Sequence, residues 1–250
     1  MSAPVVSLIV QASAAARLAL LLPGLAAQQP AAQVVVVVAG GDAAGVAAVL
    51  QAQAPAAALI ACEAEVGFCR ARNLGAAAAS APWLFFLDEG VGLQRSLAIR
   101  PQAGMFLSAP GPEDCALLVA ADDFRRADGY DETFADPDAA QADLLQRLTQ
   151  AGVKPAVLPI HGLARLHRAG APPARTPDER LYQRIKADLV GLGAPPDAAS
   201  RQALHAEICA TLVRAAESGG VADLHVHFRH ARAGASAART SLTYSVRPAG

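Results

Sequence analysis

Charge is scarce in this chain and neither sign prevails: of 250 residues 17% are charged, with 21 Lys and Arg against 22 Asp and Glu. A near-zero balance offers no basic field for a nucleic acid partner, and none is expected. Cysteine is equally sparse. The four, at positions 62, 69, 115 and 209, contain no C-x-x-C pair, which argues against a disulfide framework or zinc ribbon and suits a reduced, cytoplasmic setting. Long apolar runs are missing too. The amino-terminal "MSAPVVSLIVQAS" has no basic leader region, and "LALLLPGL" is interrupted by Pro23, so no signal peptide or transmembrane segment is expected. Peripheral contact with a membrane is left open. No repeat of solenoid length occurs.

What is present is a large apolar fraction, 53%, enough for a real core in one large or two small domains. The first half alternates strand and helix patterns. "VVSLIV" (5–10) and "QVVVVVAG" (33–40) are continuous β-branched runs, the mark of strands buried on both faces. "AAALIAC" and "PWLFFL" supply two more strands, the last ending at Asp88. Between them lie helical patterns, one with Ser13 as N-cap, one capped by Asp42, and one over "CRARNLGAAAAS". Such alternation predicts an α/β fold with a mostly parallel sheet, ligands binding beyond the carboxyl ends of the strands near Val38–Gly41 and Asp88–Gly90.

Further on, "CALLVAA" (115–121) reads as a strand. "DPDAAQADLLQRLTQAG" reads as a helix with Asp136 as N-cap, Pro137 in its first turn and Gly152 past its end. "KPAVLPI" and "GLARLH" resemble strands. After a Pro-rich joint, "TPDE" is a capping box at Thr176 and Glu179, opening a helix with Leu181, Ile185 and Leu189 on one face. A second helix is expected from Ser200 to about Ser218, its stripe formed by Leu204, Ile208 and Leu212. "DLHVHFRH" and "TSLTYSVR" alternate with period two and predict a hairpin.

The opening strands, "VGFCRARNLGAAAASAPWLFFLDEG", "DGYDETF" and "ADLLQRLTQAGVKPAVLP" occur in the order found in the inverting, nucleotide-sugar-dependent glycosyltransferases of family 2, and over residues 5–160 the chain resembles that family. The resemblance implies a GT-A-like, Rossmann-like sheet in a domain at 1–170, with a nucleotide-binding half at 1–92 and an acceptor half at 93–170. Residues 171–250 are expected to form a carboxyl-terminal extension of helices and a hairpin. It also implies a nucleotide-sugar donor, contacted by Arg72, Asn73, Asp88 and Gly129, and a Mn or Mg ion held by Asp88 and Glu89, with His167 as a further ligand. A hard cation with oxygen ligands would neutralise the leaving diphosphate.

The resemblance thins where the chemistry lies. Gln11-Ala12-Ser13-Ala14 replaces the family's Pro-Thr/Ser-Tyr-Asn turn, and Val38-Ala39-Gly40-Gly41 replaces an acidic turn. Gly90 stands where a metal-binding acid is usual. Ala140 and Gln141 occupy the general-base E-D pair, leaving Asp138 and Asp143 as candidate bases, with Asp136 beside Asp138 as a displaced one. Each candidate also has a plain structural reading: Asp136 and Asp138 suit a helix amino terminus, Asp143 can brace its helix, and Arg72 and Asn73 can be surface residues. His225 and His227 alternate onto one strand face without a clear third metal ligand. Nothing near Cys69 suggests an activated thiolate. The expectation is a glycosyltransferase-like protein with weak or lost catalysis, needing Mn or Mg or, if the site is degenerate, no cofactor. The alternative is a non-catalytic scaffold subunit that binds a protein partner.

Overall fold

The computed structural model describes residues 4–26, 32–62, 66–88, 91–93, 104–108, 116–157, 163–165, 182–183, 185–186, 198–217, 221–230 and 240–248. The chain divides into two compact units, Met1–Ala174 and Arg175–Gly250.

The first unit is an α/β sandwich on a seven-stranded, mostly parallel sheet. Its first half runs β1 (Val6–Ala12), α1 (Ala15–Ala26), β2 (Gln33–Ala39), α2 (Ala43–Gln53), β3 (Ala58–Cys62), α3 (Phe68–Ala78) and β4 (Trp83–Asp88). Then follow β5 (Val91–Leu93), β6 (Met105–Ser108), β7 (Leu117–Ala120), α4 (Ala121–Arg126), α5 (Pro137–Gln150), β8 (Lys154–Val157) and β9 (Leu163–Arg165). The order is β3-β2-β1-β4-β7-β6-β8, with β5 and β9 in a separate antiparallel pair. β3, β2, β1 and β4 are mutually parallel, β7 runs antiparallel to β4 and β6, and β8 is parallel to β6.

The apolar runs behave as their pattern predicts. Leu8, Val10, Val36, Val38, Phe85 and Leu87 point to one face, where they meet Leu18, Leu21, Leu22 and Leu25 of α1 and Val46 and Leu50 of α2. Full burial of each such side chain stabilises the fold by about 1.5–3 kcal/mol. Ile9, Val37 and Phe86 point to the opposite face, and α3 packs there at Gly75, where an added methyl would lie 2.4 Å from Ile9 Cγ2. The chain therefore changes faces between α2 and α3. It also reverses its direction of travel across the sheet at β1, which has β2 on one side and β4 on the other. In open α/β sheets that switch point is where a crevice forms, beyond the carboxyl ends of the two strands.

Three details differ from the sequence expectations. α1 begins at Ala15, with the Leu18 N–H on the Ala14 carbonyl, so its entry lies one residue past the expected Ser13 cap. The strand read through 121 stops at Ala120, because Asp122 and Asp123 begin a helix whose last turn carries Arg125 and Arg126. That charge order complements the helix dipole. The short strands β5 and β6 are not among the elements that the sequence pattern predicts.

In the second unit, α6 spans Ala198–Glu217, with Leu204 and Ile208 buried; β10 (Val221–His230) and β11 (Thr240–Pro248) form the antiparallel hairpin. The register sets His225 opposite Ser245 and His227 opposite Thr243. Tyr182 and Ile185, from the helix expected before α6, are buried; Thr176, Glu179, Leu181 and Leu189 lie outside the described residues. No helix among the described residues is long and apolar enough to cross a membrane.

Candidate functional site

At the switch point, Asp88 ends β4 opposite Gln11 of β1, placing one carboxylate and one amide at the rim. The loops after β1 and β2 meet there. Gly41 has φ 77°, and a Cβ on it would lie 2.9 Å from the Ser13 carbonyl oxygen, so only glycine permits the approach. Asp42 is occupied as the α2 cap, its Oδ1 accepting from the Gly45 N–H at 2.8 Å. Among the described residues no three His, Cys, Asp or Glu side chains gather into a group that could hold a metal. Glu89 and His167, the other expected ligands, lie outside the described residues. The described part of the rim alone does not fit a divalent cation.

One pleat below Asp88, on the same face, Phe86 begins an aromatic cluster. Its ring lies 5.1 Å from Phe124 and 5.5 Å from Tyr130, and Phe68 meets Tyr130 edge-on at 5.7 Å. Arg72 is driven into this cluster. It is 3% exposed, with its guanidinium carbon 4.2 Å from the centroid of Phe68, 5.5 Å from Tyr130 and 5.7 Å from Phe86. Its Nη1 donates to the Tyr130 hydroxyl at 2.9 Å. The reading of Arg72 as a surface residue is thus corrected: α3 turns it inward against three rings.

Asn73 is bonded on both sides of its amide. Nδ2 donates to the Tyr130 carbonyl and Oδ1 accepts the Tyr130 N–H, both at 2.9 Å, while Nδ2 also reaches Glu132 at 3.0 Å. This clamp holds the "GYDE" segment to α3. Gly129, at φ 59°, permits it: a Cβ there would lie 2.8 Å from Asn73 Oδ1. Next to the clamp, the buried Asp131 accepts from the Thr133 N–H and hydroxyl.

The Tyr130 hydroxyl in turn donates a hydrogen bond to Gln141 Oε1 at 2.7 Å. α5, which carries Gln141, starts as predicted: Asp136 is the N-cap, its Oδ1 accepting from the Asp138 N–H at 3.1 Å, with Pro137 in the first turn. Asp138 stands half-buried in that turn. Asp143, 7% exposed, is bound to Arg147, whose Nε donates to Oδ2 at 2.8 Å while Nη2 lies 2.7 Å from the same oxygen as an ion pair. Arg147 also donates from Nη1 to the Ala127 carbonyl, so the pair braces α5 against the end of α4. Arg147 and Tyr130 had not been singled out from sequence, although the (i, i+4) spacing of Asp143 and Arg147 is a readable signal.

Cys69 is buried and donates its S–H to the Phe134 carbonyl at 3.4 Å. Burial first, and then the Asp131 carboxylate, push its thiol up to about 12. Alkylation at pH 8 is accordingly expected to spare Cys69 in the folded protein while labelling the half-exposed Cys62, with Cys69 labelled on unfolding; peptide mass spectrometry reads the difference. The unfolded thiol ionises first, so this group's contribution to stability falls as pH rises between about 9 and about 12.

A separate open groove of about 730 Å³, lined by Ala76, Ser80, Pro82, Leu84, Phe124 and Asp128 among others, lies at the amino-terminal end of β4, away from the Asp88 rim.

No family model matches the chain, and no curated protein matches it in sequence. Solved structures do match. Residues 1–349 of S. aureus TarS, in complex with UDP-GlcNAc, superimpose with TM-score 0.60 at 15% identity, over 82% of this chain and 71% of that one. The Pyrobaculum calidifontis mannosyltransferase PcManGT, in complex with GDP-Man and Mn²⁺, gives 0.51 at 15%, over 87% and 76%. The catalytic domain of Drosophila β1,4-galactosyltransferase 7, in complex with xylobiose, gives 0.53 at 13%, over 72% and 79%. The chain spans 42% of the longer TarS structure. These likenesses show a GT-A-like glycosyltransferase fold.

Proposed function

We propose that this chain binds a nucleoside diphosphate sugar at the rim between β1 and β4, and that it is a family 2-like glycosyltransferase in which transfer with inversion is weak or lost. We place it in the cytoplasm, with an acceptor of unassigned identity. The fold and the ligands of its structural neighbours support the donor site. Impaired transfer rests on one observation: the polar groups near the expected base position already have structural duties. Asp136 caps α5, Asp143 is paired with Arg147, and Gln141, which has no carboxylate, holds the Tyr130 hydroxyl.

A positioned base contributes about 10²–10⁴ in rate, so its loss alone makes transfer slow. Asp138 stands beside them, half-buried in the first turn of α5. The donor contacts assigned to Arg72, Asn73 and Gly129 act indirectly in this reading, by fixing the loop that flanks the rim.

Thermal unfolding with UDP, GDP, CDP and dTDP, each with and without Mn²⁺, tests the donor site. A nucleotide present at 100 times its Kd is expected to add about 2.7 kcal/mol of stability. A flat response to all four, with and without metal, removes the donor reading and leaves the scaffold alternative.

A further inference from the structure

The two edges of the seven-stranded sheet are built differently. At one edge β8 opens on Lys154 and Pro155, both exposed. A lysine and a proline are common means by which a sheet edge refuses another strand. β3, at the other edge, has neither. Its residues Ala58-Leu59-Ile60-Ala61-Cys62 pair with β2 in unbroken register, without a bulge. Leu59 and Ala61 are exposed, Leu59 at 36%. As the terminal strand, β3 presents one row of N–H and C=O groups that no strand of the sheet takes.

The surroundings carry no charge either. Between Asp42 and Glu63 the chain has no Asp, Glu, Lys or Arg, against 17% for the whole sequence. The exposed positions of α2, which leads into β3, are Ala44, Ala48, Gln51, Ala52 and Gln53. This composition suits one occupant. When two copies meet around a two-fold axis, each stretch faces its own counterpart, so a charge near the axis meets its like. An uncharged stretch escapes that repulsion. Gln51 and Gln53 are compatible with it too, because an amide both donates and accepts and so complements itself. An anionic membrane calls instead for cations, which residues 43–62 lack.

We propose that β3 pairs antiparallel with β3 of a second copy of this chain, joining two sheets into one across a two-fold axis. The contact closes on itself. It consumes the unguarded edge of each copy and leaves the lysine- and proline-bearing β8 at both ends of the joined sheet.

The test uses light scattering on the full chain across a dilution series, where the wild type is expected to be a dimer at micromolar concentration. Leu59→Lys/Ala61→Lys and Leu59→Glu/Ala61→Glu each set like charges across the axis. Each is expected to weaken the dimer at least about a hundredfold. An equimolar mixture of the two is expected to restore it, because lysine then faces glutamate. Circular dichroism checks that each variant is folded; a double variant that is not is replaced by Ala61→Lys or Ala61→Glu alone.

A monomeric wild type, or a dimer that both double variants leave intact, overturns the proposal. So does failure of the mixture to restore the dimer, since the edge then meets something other than itself. Co-sedimentation of the wild type as a monomer with phosphatidylcholine vesicles, lost in both double variants, assigns the edge to a membrane and overturns it as well.

Discussion

Replacing Asp143 with alanine is expected to cost about 3–5 kcal/mol of folding stability, a large part of the 5–15 kcal/mol that holds an ordinary domain together. The magnitude follows from what stays behind. Arg147 is only 12% exposed and has two of its nitrogens on Asp143 Oδ2, while a third is committed to the Ala127 carbonyl. Deleting the carboxylate removes the anionic partner of a buried cation, which costs far more than losing a surface pair. Urea unfolding should show a lower midpoint with an unchanged slope.

The double variant Asp143→Leu/Arg147→Leu is expected to recover most of the loss, because an apolar pair of similar volume replaces a buried ion pair at little cost. The same series tests the catalytic reading of Asp143. If it serves as a general base, Asp143→Asn will abolish transfer while stability stays near wild type. If it serves as a brace, stability falls in every single variant. A wild-type midpoint for Asp143→Ala would remove the brace.

Much of the first unit was legible because its signals are local. β1, β2 and β4 announce themselves as unbroken apolar runs, and Asp42 and Asp136 cap helices as their positions suggest. Gly152, just past α5, has the positive φ that a helix end favours. The start of α4 was missed although its signal was present: two acids followed by two arginines over six residues describe a short helix better than a strand.

The candidate site was less legible, because its defining contacts join distant parts of the chain. Arg72 looks like a phosphate ligand or a surface charge when only α3 is read. Its burial depends on Phe68, Phe86 and Tyr130 converging from α3, β4 and the loop before α5, up to 58 residues away in sequence. The substitutions at 140 and 141 could be read as a missing base. That Gln141 had been recruited by Tyr130 could not, since the pairing depends on how α5 lies across the loop.

Tyr130 is where these contacts meet, so truncating it is expected to be the most damaging single change on this face of the sheet. Its side chain is 1% exposed, and its ring packs on Phe68, Phe86 and Phe124. Tyr130→Ala is expected to cost about 3–5 kcal/mol from the lost burial and the cavity left behind. Tyr130→Phe separates the hydroxyl from the ring. It keeps the packing but takes away the group that Arg72 donates to and that donates to Gln141, for an expected cost of about 1–3 kcal/mol.

Combining Tyr130→Phe with Gln141→Leu isolates the link between the loop and α5. If the hydroxyl and the amide act together, the two losses will fall short of additive by about 0.5–3 kcal/mol. If they add, the Tyr130–Gln141 bond carries no stability of its own.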